Sequence, residues 1–296
     1  MMHGIRPLRL ATRGSAQART QAQVVAEMLM AVNPDLIVEL VFVETLGDRT
    51  QHAEVPIHTI GGQGVFVKEI QQAVLRGDAD VAVHSAKDLP SGVADGLHLA
   101  AFCERRDARD ALIGSTLAGM PVGATVATGS VRRRAQLAAV RHDLQFVELR
   151  GNIHTRLGKV PPNGAIVMAA AALEILGLLS EIDDYLPPTP FVPSPGQGCV
   201  AVECRAEDGE MIGLLASIDH HSTRQSVEVE RAFLAELGSG CSLPVGAHAA
   251  DRRLTAFLAA EDHSRHLIET IELPDDHDLA VVRSADLARS MHDRLP

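Results

Sequence analysis

LATRGS at residues 10–15 and VATGS at residues 126–130 are one construction used twice. In each, a short apolar run reaches an Ala-Thr pair, passes through glycine and serine, and opens into a segment with helical spacing. Ser15 and Ser130 suit the N-cap position, where a side-chain oxygen accepts from the first free amides. Capping alone accounts for either turn taken singly. Both turns, however, carry arginine: Arg13 in the first, and Arg132, Arg133 and Arg134 after the second. A helix N-terminus offers unpaired N–H groups and partial positive charge, so each turn is suited to an anion. The pair predicts two similar α/β units sharing a cleft at the strand C-termini that grips an anionic ligand.

Working outward, the alternation continues. Residues 8–12 read as a strand and 16–32 as a helix, with Val24, Val25, Met28, Leu29 and Val32 on one stripe. Residues 36–44, 80–84 and 97–103 read as strands, and 66–76 as a helix. The pattern restarts with strands at 125–128, 144–149 and 165–168. Helices follow at 130–141 and 169–179, with a helical turn at 153–158. Such alternation predicts α/β layers on largely parallel sheets. Residues 46–64 form a long polar stretch, read as a functional lid or a disordered segment. Five prolines between 187 and 195 mark an extended connection. Beyond it come a strand at 199–204 and a helix at 222–237. The tail, with strand-like runs at 254–260 and 267–273 and a helix near 285–294, predicts a small α+β domain.

The 296 residues carry a formal charge of −11, and aromatic residues are 3%. An acidic chain with one tyrosine and no tryptophan does not suit nucleic acid, which wants basic surface and stacking rings. The longest apolar stretch, 165–179, is interrupted by Glu174 and is too short for a membrane span. The N-terminus shows no hydrophobic core of a signal peptide. Four cysteines without Cys-x-x-Cys spacing predict reduced thiols and no zinc site. His220 and His221 read as capping or surface residues, so no metal is expected. Three of the 27 basic residues are lysine, so 24 are arginine, the side chain that grips carboxylates bidentately.

Three further segments can carry chemistry, and a fourth does not. HSAKDLP at 84–90 ends an apolar strand, where Lys87 beside Asp88 can hold that carboxylate ionised. LRGNIHTR at 149–156 places Arg150 and Arg156 around a glycine turn. GSGCSLPVG at 238–246 puts Cys241 in a glycine-rich loop after a helix. The charge run ERRDARD at 104–110 reads as a solvated linker.

Together with GGQGVFVKE, DVAVHSAKDLP, FCERRDARDAL, TGSVRRRAQL, PGQGCVAVECR and VERAFL, in that family's order, these segments resemble porphobilinogen deaminase, also called hydroxymethylbilane synthase. The resemblance implies two domains like those of type II periplasmic binding proteins plus a C-terminal α+β domain. Their expected extents are 1–103 with 199–219, 104–198, and 220–296. It implies a cytoplasmic monomeric transferase of tetrapyrrole (haem) biosynthesis. That enzyme condenses four porphobilinogens into hydroxymethylbilane and releases ammonia. It also implies a covalent dipyrromethane cofactor held by thioether to Cys241. By the same match Asp88 and Lys87 are catalytic. Arg13, Ser15, Lys87, Thr128, Ser130, Arg132, Arg133, Arg150 and Arg156 hold the cofactor. Arg13, Ser15, Arg150, Arg156 and Gln197 meet substrate. No nucleic acid, membrane or metal is implied.

The chain departs from that pattern at three usually basic positions, which hold Thr59, Gln63 and Ile175, the last beside Glu174. The stretch before Ala165 is short and lacks an acidic residue usual there. A divergent relative making a shorter or altered pyrrole product, and a non-catalytic anion-binding relative, are the alternatives.

Overall fold

The computed structural model describes residues 6–45, 64, 66–238, 243–260 and 265–295. Thr59, Gln63 and Cys241, and most of the stretch read as a lid, lie outside them.

The first sheet is built from β1 (Leu8–Arg13), β2 (Val38–Val43), β3 (Val81–Ser85), β4 (Leu97–Phe102) and a strand from far along the chain, β10 (Val200–Arg205). Their order is β2-β1-β3-β10-β4. The second sheet contains β5 (Asp110–Ile113), β6 (Thr125–Ala127), β7 (Gln145–Val147), β8 (Ala165–Ala169) and β9 (Asp184–Leu186), in the order β7-β6-β8-β5-β9. The two orders are one topology. Three strands run parallel, and a fourth is inserted antiparallel before the edge strand. This is the arrangement of type II periplasmic-binding-protein-like domains. The chain crosses from the first sheet to the second after β4 and returns before β10. Each crossing delivers a strand from the opposite end. Four strands of each sheet therefore run one way, as the alternation predicts, and only the strand delivered by a crossing runs against them.

Helix α1 (Ala16–Val32) buries Ala22, Val25, Ala26 and Leu29 against the first sheet. Val32 falls off the expected stripe and is 53% exposed, because the buried face centres on residues 22–29. The first sheet also carries α2 (Lys68–Leu75), and the second α3 (Val131–Val140), the short α4 (Ile153–Leu157) and α5 (Ala170–Glu174). The last is shorter than the helix expected over 169–179, because Gly177 takes a φ of +69° and turns the chain. Helix α6 (Gly209–Ala216) follows β10.

The third unit is an antiparallel meander of β11 (Val245–Ala250), β12 (Arg253–Ala259) and β13 (His266–Glu272). Helices α7 (His221–Glu236) and α8 (His277–Asp293) pack on it around Phe233, Leu254 and Met291. Helix α8 begins well before residue 285 because Asp276 caps it, accepting from the Leu279 amide.

Candidate active site

β3 is buried along its length and ends at Ser85, so the chain leaves the sheet exactly where the two large units face each other. A single 3-10 turn, Ala86–Asp88, follows. It is pinned from two sides. The Ala86 amide donates to Cys199 O at 2.9 Å. Gly196, at φ +72°, lies so close that a Cβ would come within 3.0 Å of the Ala86 side chain and 3.2 Å of the Lys87 nitrogen. From α7, Arg231 donates to the carbonyls of Pro90 at 2.8 Å and Ser91 at 2.9 Å, which fixes the exit of the turn.

In front of this turn lies a cavity of about 300 Å³. Its wall includes Lys87 and Asp88, with Arg13 and Ser15 from the first turn. From the second unit it takes Arg133, Arg150 and Arg156. Among the described residues Asp88 is the only acidic residue on the wall. The apolar side is formed by Ile153, Met168, Ala172 and Leu176. The guanidinium of Arg13 stacks 4.0 Å above the Phe66 ring. Arg156 is anchored by its Nε donating to Gly151 O at 2.7 Å.

The cations crowd one another. Burial lowers the Arg156 guanidinium to about 10, and Arg133 and Arg13 push it the same way, with Asp88 opposing. Burial likewise lowers the Lys87 ammonium to about 8; Arg133 adds to this, while Asp88 and Asp110 work against it. A site whose cations repel one another gains most when a multiply charged anion enters.

The second turn behaves differently from the first. Ser130 caps α3, accepting from the Arg133 amide at 3.4 Å, and Thr128 Oγ1 accepts from the Ser130 amide at 3.2 Å. Neither residue lies on the described cavity wall. Nor does Arg132: it is buried, with Nη1 2.9 Å from Asp110 Oδ2 and donating to Val192 O at 2.7 Å. Gln197 is also off the wall, fully buried, donating to Ala108 O and Asp110 Oδ1. Its Oε1 lies 3.5 Å from Lys87 Nζ. These four residues back the site and are not on its described wall; Arg133 stays on that wall although Asp110 Oδ1 accepts from its Nε and Nη2. Asp110, read as the end of a solvated run, is a buried carboxylate. His154, Gln17 and Gln21 also line the cavity. His154 sits in the 149–156 motif between two arginines, and both glutamines follow Ser15 on α1.

His220 precedes α7 without a side-chain cap, its Nδ1 2.8 Å from Thr223 Oγ1. No group of three metal-ligating side chains occurs among the described residues. No helix there is long and apolar enough to cross a membrane.

Residues 8–213 match the family model "Porphobilinogen deaminase, dipyromethane cofactor binding domain", and residues 224–293 match "Porphobilinogen deaminase, C-terminal domain". The chain belongs to the porphobilinogen deaminase family. It is 44% identical to the porphobilinogen deaminase of Acidothermus cellulolyticus over 97% of this chain and 90% of that one. For the Thermobifida fusca protein of the same name the figures are 44%, 96% and 93%. For that of Geobacter metallireducens they are 41%, 90% and 86%.

The family's dipyrromethane carries four carboxylates, and the residues present fit it: four arginines and a lysine converge on one cavity whose cations are mutually repelled. The described cysteines do not suit the thioether. Cys103 is buried and its thiol is pushed up to about 12 by burial; Cys204 is raised to about 11 and Cys199 is raised further, for the same first cause. The fourth cysteine, Cys241, lies outside the described residues.

Proposed function

We propose that this chain condenses four porphobilinogen molecules head to tail into hydroxymethylbilane, releasing one ammonia per unit and using one water to free the product. The observation that carries this reading is that, among the described residues, a single carboxylate, Asp88, is set with five cations on one cavity wall between the two sheets. Each porphobilinogen carries an acetate and a propionate. The arginine forks and Lys87 bind those carboxylates, and the apolar wall meets the ring face. When bound, the dipyrromethane cofactor supplies the pyrrole carbon that starts the chain. Asp88 accepts a hydrogen bond from the pyrrole N–H of the incoming unit. It stabilises the positive charge that spreads into that ring as ammonia leaves the aminomethyl carbon. After the new carbon–carbon bond forms, the same carboxylate accepts the α-proton. Arg13, Arg133, Arg150 and Arg156 hold the rings in register with it.

Thr128, Ser130, Arg132 and Gln197 support this site from behind. One carboxylate serving four additions requires the chain to move past it, so the units shift about the two crossings as it lengthens. We take those units as 1–103 with 199–219, 104–198 and 220–296. The resemblance alone carries the cytoplasmic and monomeric parts of the reading. A purely binding protein would have no use for Asp88 at this turn.

The test is stoichiometry. Purified enzyme given porphobilinogen is expected to release four ammonia per tetrapyrrole. Ammonia release without tetrapyrrole, or a dipyrrole or tripyrrole as final product, would overturn the reading.

A further inference from the structure

We propose that Arg106 binds a carboxylate of the lengthening substrate in a second, smaller cavity between the two crossings. This rests on the function proposed above and assigns a subsite within it. Arg106 lies in the first crossing, and its amide donates to Gly198 O of the second at 3.0 Å. The approach is tight: a Cβ on Gly198, at φ +88°, would stand 2.6 Å from the Arg106 carbonyl oxygen. The backbone of Arg106 is therefore fixed where the crossings meet, and its side chain reaches out from that point.

Arg106 and Lys87 are the cations on the wall of a cavity of about 20 Å³, which has no acidic residue on its described wall. The cavity shares Gln17, Gln21, Ser85 and Lys87 with the main site, so it is a continuation of it. Its far side, with Ile175 and Val200, is apolar. Its volume admits one water, or one carboxylate oxygen entering end-on. Gln21 and Ser85 are already bonded to each other, Gln21 Nε2 donating to Ser85 Oγ at 3.0 Å. Arg106 and Lys87, with the Gln17 amide beside them, are thus left as the groups that meet an anion.

Arg106 is held at the rim by one ion pair, Nη1 to Glu174 Oε1 at 2.7 Å, with both side chains about one-third exposed. Glu174 is not on the cavity wall. A pair exposed to this degree is weak. A substrate carboxylate that meets Lys87 and Arg106 together competes for the guanidinium on good terms. Each added ring brings two more carboxylates, so the need for this subsite grows as the chain lengthens. Ile175 supplies no charge here; Arg106 does, from the neighbouring crossing.

The test uses cofactor-loaded enzyme, verified by intact mass, titrated with porphobilinogen while the enzyme-bound species are resolved by mass. R106Q is expected to need roughly tenfold more porphobilinogen to reach the late species, with partial rescue in R106K. E174Q is expected to shift the other way, because it frees the guanidinium. If Arg106 served only as Glu174's structural partner, R106Q and E174Q would impair elongation alike, and that result would overturn the subsite. So would an R106Q distribution matching the parent. A parent enzyme that adds no unit at all overturns the proposed function itself, a result distinct from either.

Discussion

Arg133 closes on Asp110 inside the second unit, with Nη2 and Nε donating to the same carboxylate oxygen at 2.8 and 3.1 Å. Gln197 reaches that oxygen as well, at 2.8 Å, and Arg132 takes the other. Burial by itself would raise the Asp110 carboxyl, but the two guanidiniums overcome it and hold it well below the usual carboxylate range. Removing one partner of such a cluster strands buried charge. D110N is expected to lower unfolding stability by about 3–5 kcal/mol. Denaturant titration checks this, and a loss under about 1 kcal/mol would contradict it. A lowered carboxyl contributes stability above its unfolded value, near 4, and loses it as pH falls through the folded value. D110N should therefore show a shallower acid limb in stability against pH.

Lys87 gives the opposite limb. Its folded value, about 8, lies below its ordinary 10.5, so the buried charge is a cost that is relieved as pH rises from about 8 to 10.5. Binding has the reverse sign, since the neutral amine no longer attracts a carboxylate. KM for porphobilinogen is expected to climb as pH passes about 8, and K87R should flatten that limb. A parent profile with no alkaline rise in KM would count against a binding role for this ammonium.

Asp88 is the sole acidic wall residue among the described residues and tests the chemical step. D88N keeps size and shape but cannot take a proton or offset a cation. Turnover is expected to fall by about 10²–10⁴ with the thermal melt within a few degrees of the parent. Turnover near the parent value would remove Asp88 from the mechanism.

If the units shift during elongation, amide exchange should change at the crossings. Segments 103–109 and 187–199 are expected to differ in protection between enzyme trapped with one added unit and enzyme trapped with three. Identical exchange at every stage would mean that the chain moves while the protein does not.

Much of the site was legible because it is local. The first capped turn, the 84–90 strand exit and the 149–156 turn are each contiguous, and residues of each line the cavity; the second capped turn reaches it only through Arg133 on the helix that follows. What escaped was set by distant partners. Arg132 and Arg133 look alike along the chain. Both are buried and both pair with Asp110, more than twenty residues earlier; Arg132 also donates to Val192 O and Gln136 Oε1 and lies off the cavity wall, whereas Arg133 remains on it. β5 was hidden for the same reason: its first residue closes a charge run, and those charges are neutralised within the fold. The short α6 and β9 offered too few periodic positions to read. The reversed direction of β5 and β10 was not legible, because which end they enter from is fixed by the crossings.

The central claim is that this cleft builds a pyrrole chain on a cofactor attached to Cys241. Intact mass of the purified protein tests it most directly. The account predicts a chain heavier than its sequence by two porphobilinogen units, each less one ammonia, and a C241S variant at the bare mass. A wild-type protein at the bare mass after expression with porphobilinogen present, or an adduct that persists in C241S, would contradict it.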